Sequence, residues 1–173
     1  MKKVILFVAI LLTSLSLFAQ NQYEVLSERP NEKSLKGIIS RQVLESDSTF
    51  KWYLDNKKGY TPDNMAVSSL RQYKDSVELL VFMGTWCEDS HLIIPRLFSI
   101  VDVAGFDNKK LTLIGTDRNK KTLGHLVEAL NVINVPTIIV MKGGKEMGRI
   151  VEYGKTGLWD KELGELINTS FVR

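Results

Sequence analysis

Cysteine is almost missing from this chain of 173 residues: Cys87 stands alone. A lone cysteine excludes an internal disulfide and any site built from paired thiols. Histidine is scarce too, limited to His91 and His125. No second cysteine and no acidic cluster joins them, so the sequence offers no metal site, and no motif asks for a cofactor. Neither sign of charge is in excess. Two of the 23 basic residues, Lys2 and Lys3, fall in the leader described below, and the others balance the 20 acidic residues to within one charge. That balance removes the electrostatic case for nucleic acid or an anionic membrane surface as a partner. The Lys-Lys pairs at 57–58, 109–110 and 120–121 read as solvated loop and helix ends.

Long apolar runs are lacking as well. Val4 to Leu12 is apolar but too short to span a bilayer. With Met1-Lys2-Lys3 before it and Ala19 after it, the run reads as a signal peptide over residues 1–19, which directs export to a periplasmic or secreted location. No cysteine near the cut provides for a lipid anchor. Residues 20–33 are polar, contain Pro30 and read as a flexible segment. A domain over 34–173 follows, with a helical extension at 34–60 that reads as one or two short helices and a brief strand near Ile38. An exported thiol meets an oxidising compartment, so Cys87 must be either reactive or protected by burial.

What is present centres on Val77 to Ile100. Val77 to Met83 has the length and the apolar content of a buried strand. Gly84-Thr85-Trp86 turns the chain, Cys87 follows, and Leu92, Ile93, Leu97 and Ile100 recur at helical spacing. A strand that hands over to a helix in this way places Cys87 at the carboxyl edge of a sheet. It also places the thiol at the positive end of a helix, where free N–H groups favour a thiolate, the reactive form.

The remainder alternates in type. Thr61-Pro62-Asp63 predicts a helix start with a capping hydroxyl on Thr61, and the helix runs to about Lys74 with Met65, Leu70 and Tyr73 inward. Leu111 to Gly115 predicts a parallel strand and Thr122 to Asn131 a helix, with His125 on its outer surface. Asp117 and Arg118 read as loop surface and receive no role. Ile138 to Met141 predicts a strand, Gly143-Gly144 a hairpin turn, and Lys145 to Glu152 the returning strand, with a bulge at Gly148. Leu158 to Thr169 closes the chain as a helix weakened by Gly164. The class is α/β: a mixed central sheet with helices on both faces, plus the N-terminal helical extension.

Three local features in this order resemble the thioredoxin-like fold over about Pro62 to Thr169. They are Trp86-Cys87 at the strand-to-helix turn, Pro95 eight residues after the cysteine, and Val135-Pro136-Thr137 ahead of the hairpin. The resemblance implies a cis bond before Pro136, with that turn facing the cysteine. It also implies that the Val135 backbone is free to pair with an extended substrate. Two departures stand out. The Cys-x-x-Cys of such proteins is here Cys87-Glu88-Asp89-Ser90, and the buried acid that many of them place six residues before the cysteine is here Val81.

An alcohol cannot replace the second thiol, so Ser90 cannot resolve a mixed disulfide. Cys87 retains one half-reaction, attack on a partner disulfide, after which a thiol from outside must release it. Ser90 could offer its hydroxyl or N–H to the sulfur, and Trp86 would shape the contact surface. Glu88 and Asp89 would tune the thiol or select partners, although acids also suit a helix's first turn on their own account. As an enzyme the chain would be a thiol–disulfide oxidoreductase or isomerase without a resolving cysteine. It would act on a disulfide-bearing protein or a low-molecular-weight thiol. As a binding module it would hold clients in the groove between Cys87 and Pro136 without turnover. The Thr-x-x-Cys arrangement of cysteine peroxidases is missing.

Overall fold

Alternate residues of a strand face opposite sides of its sheet, and Leu79 to Met83 is apolar on both. In the computed structural model, which describes residues 22–30 and 32–171, this segment lies at the middle of a six-stranded sheet. The expected signal peptide lies outside the described residues. In chain order the elements are β1 (Tyr23–Leu26), β2 (Ser34–Ile39), α1 (Arg41–Ser46), α2 (Lys51–Lys57), α3 (Asn64–Tyr73), β3 (Glu78–Met83) and α4 (Glu88–Ala104). There follow β4 (Leu111–Gly115), α5 (Leu126–Ala129), β5 (Thr137–Lys142), β6 (Lys145–Val151) and α6 (Trp159–Phe171). The sheet order is β1-β2-β4-β3-β5-β6, with β3 and β4 parallel and every other neighbouring pair antiparallel.

Side-chain alternation divides the core in two. Leu79, Val81 and Met83 of β3, with Leu111, Leu113, Ile138 and Val140, enter the larger core under α1 to α4 and α6. Phe82, Ile114 and Ile139 point the other way and pack with Val127, Val132 and Val135. Trp86 and Cys87 lean on this smaller cluster. Helices therefore cover both faces, unequally. Pro95 sits inside α4 and is buried. The hairpin of β5 and β6 carries its bulge where Val140 faces Gly148 and Met141 faces Glu146.

Several expectations need correcting. Tyr23–Leu26 is a strand paired with β2, not part of a flexible segment, because Tyr23 packs on the large core and the ladder engages the backbone. The strand expected near Ile38 is longer than a brief one, since β2 takes in all of Ser34–Ile39 at the start of the extension. The extension's helical part is confined to α1, α2 and the short 3-10 turn between them. That part packs on α4: Arg41 bonds Asp102 through two nitrogens at 2.5 and 2.8 Å, and the Tyr53 and Phe98 rings lie 6.2 Å apart. The cap of α3 is Asp63, whose carboxylate accepts from the N–H of Met65 and Ala66, and Met65 is exposed. The helix expected over Thr122 to Asn131 is broken into a 3-10 turn and the single turn of α5. Gly124 (φ 64°) and His125 (φ 54°) are both left-handed there, a conformation that interrupts a right-handed helix.

Gly164 explains itself in three dimensions. A Cβ at this position would lie 2.5 Å from the backbone nitrogen of Ala66, so the missing side chain lets α6 rest directly on the first turn of α3. Gly164→Ala should destabilise the fold by about 1–3 kcal/mol, because overpacking against backbone outweighs the ~1 kcal/mol that alanine gains in helix propensity. Urea midpoints check this, and a higher midpoint in the variant would show that the two helices move apart freely.

Candidate functional site

The site grows from the carboxyl end of β3. Gly84 accepts the N–H of Cys87 at 3.0 Å, closing a tight turn. Cys87 then caps α4 with extended backbone (φ −100°, ψ 121°) and no side-chain cap, and its carbonyl accepts the first helical bond from His91. The sulfur is half-buried, and its S–H donates to the Val135 carbonyl at 3.3 Å. The Val135–Pro136 peptide is cis. Register explains the proximity: Phe82 pairs with Thr137, so the residues just before β5 must lie beside those just after β3.

The other residues singled out in the sequence take different places. The Trp86 indole N–H donates to the Thr116 carbonyl at 2.8 Å, and the Arg118 guanidinium lies 5.2 Å from its ring. Ser90 is buried, and its hydroxyl accepts the Gly84 N–H at 3.2 Å, so it braces the turn from behind. Asp89 accepts the Tyr153 hydroxyl at 3.0 Å, while Glu88 is exposed in the first turn of α4. Burial first, and then the Asp89 carboxylate, push the Tyr153 phenol above its ordinary pKa. Val81 is fully buried in the large core, in keeping with its apolar type.

Some contributors were not legible in the sequence. Thr85 is buried, and its hydroxyl accepts the Leu35 N–H and donates to the Lys33 carbonyl, both at 3.0 Å. Asp117 and Arg118 are more than loop surface. Asp117 is buried and paired with Lys36 at 3.0 Å, and Arg118 bonds Glu32 through its side chain and Glu28 through its N–H. The Arg118 bond holds the Glu32 carboxyl below the usual carboxylate range. Their position at the end of β4, parallel to β3, was the available signal: loops at one edge of a parallel pair are neighbours. Tyr153 had no such signal. Among the described residues no group of three or more candidate ligands could hold a metal, and no helix is long and apolar enough to cross a membrane.

His91 points away from the sulfur. Its Nε2–H donates to the Thr85 carbonyl at 2.7 Å, and its ring stacks on Trp52 at 4.2 Å with 16° between the planes. Burial lowers its pKa, only partly offset by the Thr85 carbonyl. The unfolded chain therefore takes up this proton first, at about pH 6.5. Stability is full above that pH, and it declines as pH falls, until the folded ring is protonated too. Denaturant midpoints taken between pH 7.5 and 5 should drop, and His91→Gln should flatten the drop. An unchanged slope in a folded variant would assign the effect to other groups.

Comparison with known proteins gives thioredoxins. A family model described as thioredoxin matches residues 42–158. Thioredoxin H2 of Arabidopsis thaliana is 26% identical over 127 residues, covering 72% of this chain and 80% of that protein. A thioredoxin of Chlamydia pneumoniae is 33% identical over 91 residues, covering 52% and 78%. Among solved structures, thioredoxin O2 of Arabidopsis thaliana in its oxidized state is similar at 26% identity over 59% of this chain and 83% of that one, with a TM-score of 0.38. The span of the family match, more than half of the sequence, makes this chain a member of the thioredoxin family, and membership supports a general role in thiol–disulfide redox chemistry.

Proposed function

We propose that this protein is an exported monothiol member of its family that forms mixed disulfides through Cys87. The observation that carries the reading is the half-buried sulfur at the N-terminus of α4, 3.3 Å from the Val135 carbonyl and beside Pro136. The chemistry balances in two exchanges. The Cys87 thiolate attacks one sulfur of a client disulfide, a Cys87–client disulfide forms, and the other client sulfur leaves as thiolate. A second thiolate, from a small molecule or from the client itself, then attacks the client sulfur and releases Cys87. Ser90 takes no part in either exchange beyond supporting the turn. Half-buried Trp86 and the backbone at Val135 and Pro136, whose side chains are buried, would meet the client, with Glu88 and Asp89 at the rim.

A second reading, a module that holds clients without turnover, is favoured by one contact. The S–H of Cys87 occupies the Val135 carbonyl, the backbone acceptor that an extended client would use.

Iodoacetamide and an aromatic disulfide separate the two. The exchange reading expects Cys87 to label in the folded protein and to retain one stable adduct per chain, visible by mass and released only by added thiol. Labelling confined to unfolded protein would sink it. Ser90→Cys supplies the missing thiol and should raise dithiol-driven reduction of a protein disulfide by about ten-fold or more over the parent. A folded variant with no gain would count against the proposed roles of positions 87 and 90.

A further inference from the structure

A cleft opens beside Trp86, the residue before Cys87. Its volume is about 290 Å³, and it is lined by Thr49, Phe50, Trp52, Thr85, Trp86 and His91, with Glu32 and Lys33 at the rim. Neither Val135 nor Pro136 borders it, so it is distinct from the contact between Cys87 and Val135.

The walls define what fits. Four are rings. Trp52 stacks on His91 at 4.2 Å and meets Phe50 edge-on at 5.9 Å, so three of the rings form one continuous wall. His91 spends its Nε2–H on Thr85. The rim charges are also engaged, Glu32 by Arg118 and Lys33 by Asp47. The cleft thus presents aromatic side chains beside charges that are already paired, with the Lys33 ammonium 5.8 Å from the Phe50 ring and the Arg118 guanidinium 5.2 Å from the Trp86 ring. Its volume sits at the lower end of small-ligand pockets, roughly 300–1,000 Å³, room for one ring-bearing side chain and not for a folded segment. Aromatic side chains are the usual anchors of such lined pockets.

We infer that this cleft is a specificity subsite that takes a single aromatic side chain of a client polypeptide, close in sequence to the cysteine that Cys87 attacks. The inference rests on the exchange reading above and adds a selectivity that the sulfur alone cannot provide. Continuity identifies the occupant. A client bonded to Cys87 passes beside Trp86, and two extended residues cover about 7 Å, enough to reach from one residue to its neighbour's pocket.

The test uses short peptides whose single cysteine carries a 2-thiopyridyl disulfide. Cys87 displaces 2-thiopyridone, which is followed by absorbance. Tryptophan is placed one or two residues before or after the cysteine, and the control carries alanine at all four positions. One placement should react about ten-fold faster than the alanine peptide, a difference of about 1.4 kcal/mol. The ratio is read within each variant. Thr49→Arg, which fills the cleft from an exposed position, should bring it to about one, and so should Trp52→Leu. Ratios within about two-fold for every placement, or a preference that survives in folded Thr49→Arg, would overturn the subsite. A dimer in the parent that Thr49→Arg dissolves would show a second copy in the cleft and also overturn it. Failure of the exchange reading looks different: every peptide, and dithiodipyridine itself, stays unreactive. Titrating the parent with the thiol-free tryptophan peptide then still tests the cleft, through NMR shifts of the Trp52 and Trp86 indole N–H signals. Shifts support the subsite, and their absence removes it.

Discussion

Register between β3 and its two neighbours fixes the site. Met83 pairs with Gly115 in the parallel direction, and Phe82 pairs with Thr137 in the antiparallel one. The first pairing brings the Thr116–Arg118 loop beside Trp86. The second brings Val135 and Pro136 beside Cys87. Because side chains alternate with a period of two, slipping either pair by one residue would turn Val81 and Phe82 into the wrong cores. The apolar packing that folds the sheet therefore also positions the chemistry.

The N-terminal strands add a second layer of fixation. One buried hydroxyl, on Thr85, joins the entry of β2 to the turn that presents Cys87. Buried hydrogen bonds of this kind contribute about 1 kcal/mol each, and leaving a partner unsatisfied costs about 1–3 kcal/mol. Arg118 binds the same segment from the other side through Glu28 and Glu32, with its guanidinium over Trp86. The segment before β2 is thus a wall of the site, and the helices that follow it brace α4 through Arg41, Lys57 and Asp102.

The sequence disclosed what short-range patterns control. Val77 to Met83 could only be buried, Cys87 stood at a change from strand to helix period, and Gly143-Gly144 marked a turn between two apolar runs. These features depend on neighbours in the chain. Tyr23–Leu26 was invisible because four residues carry almost no pattern, and its ladder partner lies across a turn. Asp63 was passed over as the cap because Thr61 offered an equally good hydroxyl, and only backbone geometry separates them. The break at Gly124 and His125 was hidden by Leu123, Leu126, Val127 and Leu130, whose spacing suits a helix. Thr85, Arg118 and Tyr153 gained their importance from partners 50, 86 and 64 residues away, which no local reading brings together.

The bulge in β6 has a bearing on how the molecule behaves in company. β6 is the last strand of an open sheet, and a bare margin of N–H and C=O groups invites another chain to continue the ladder. The extra residue opposite Val140 and Met141 breaks the even spacing of those groups and sharpens the local twist. Lys145, Glu146 and Arg149 place charges along the same margin. A stray strand arriving there meets an irregular template edged with ions, so polymerisation through this edge is discouraged.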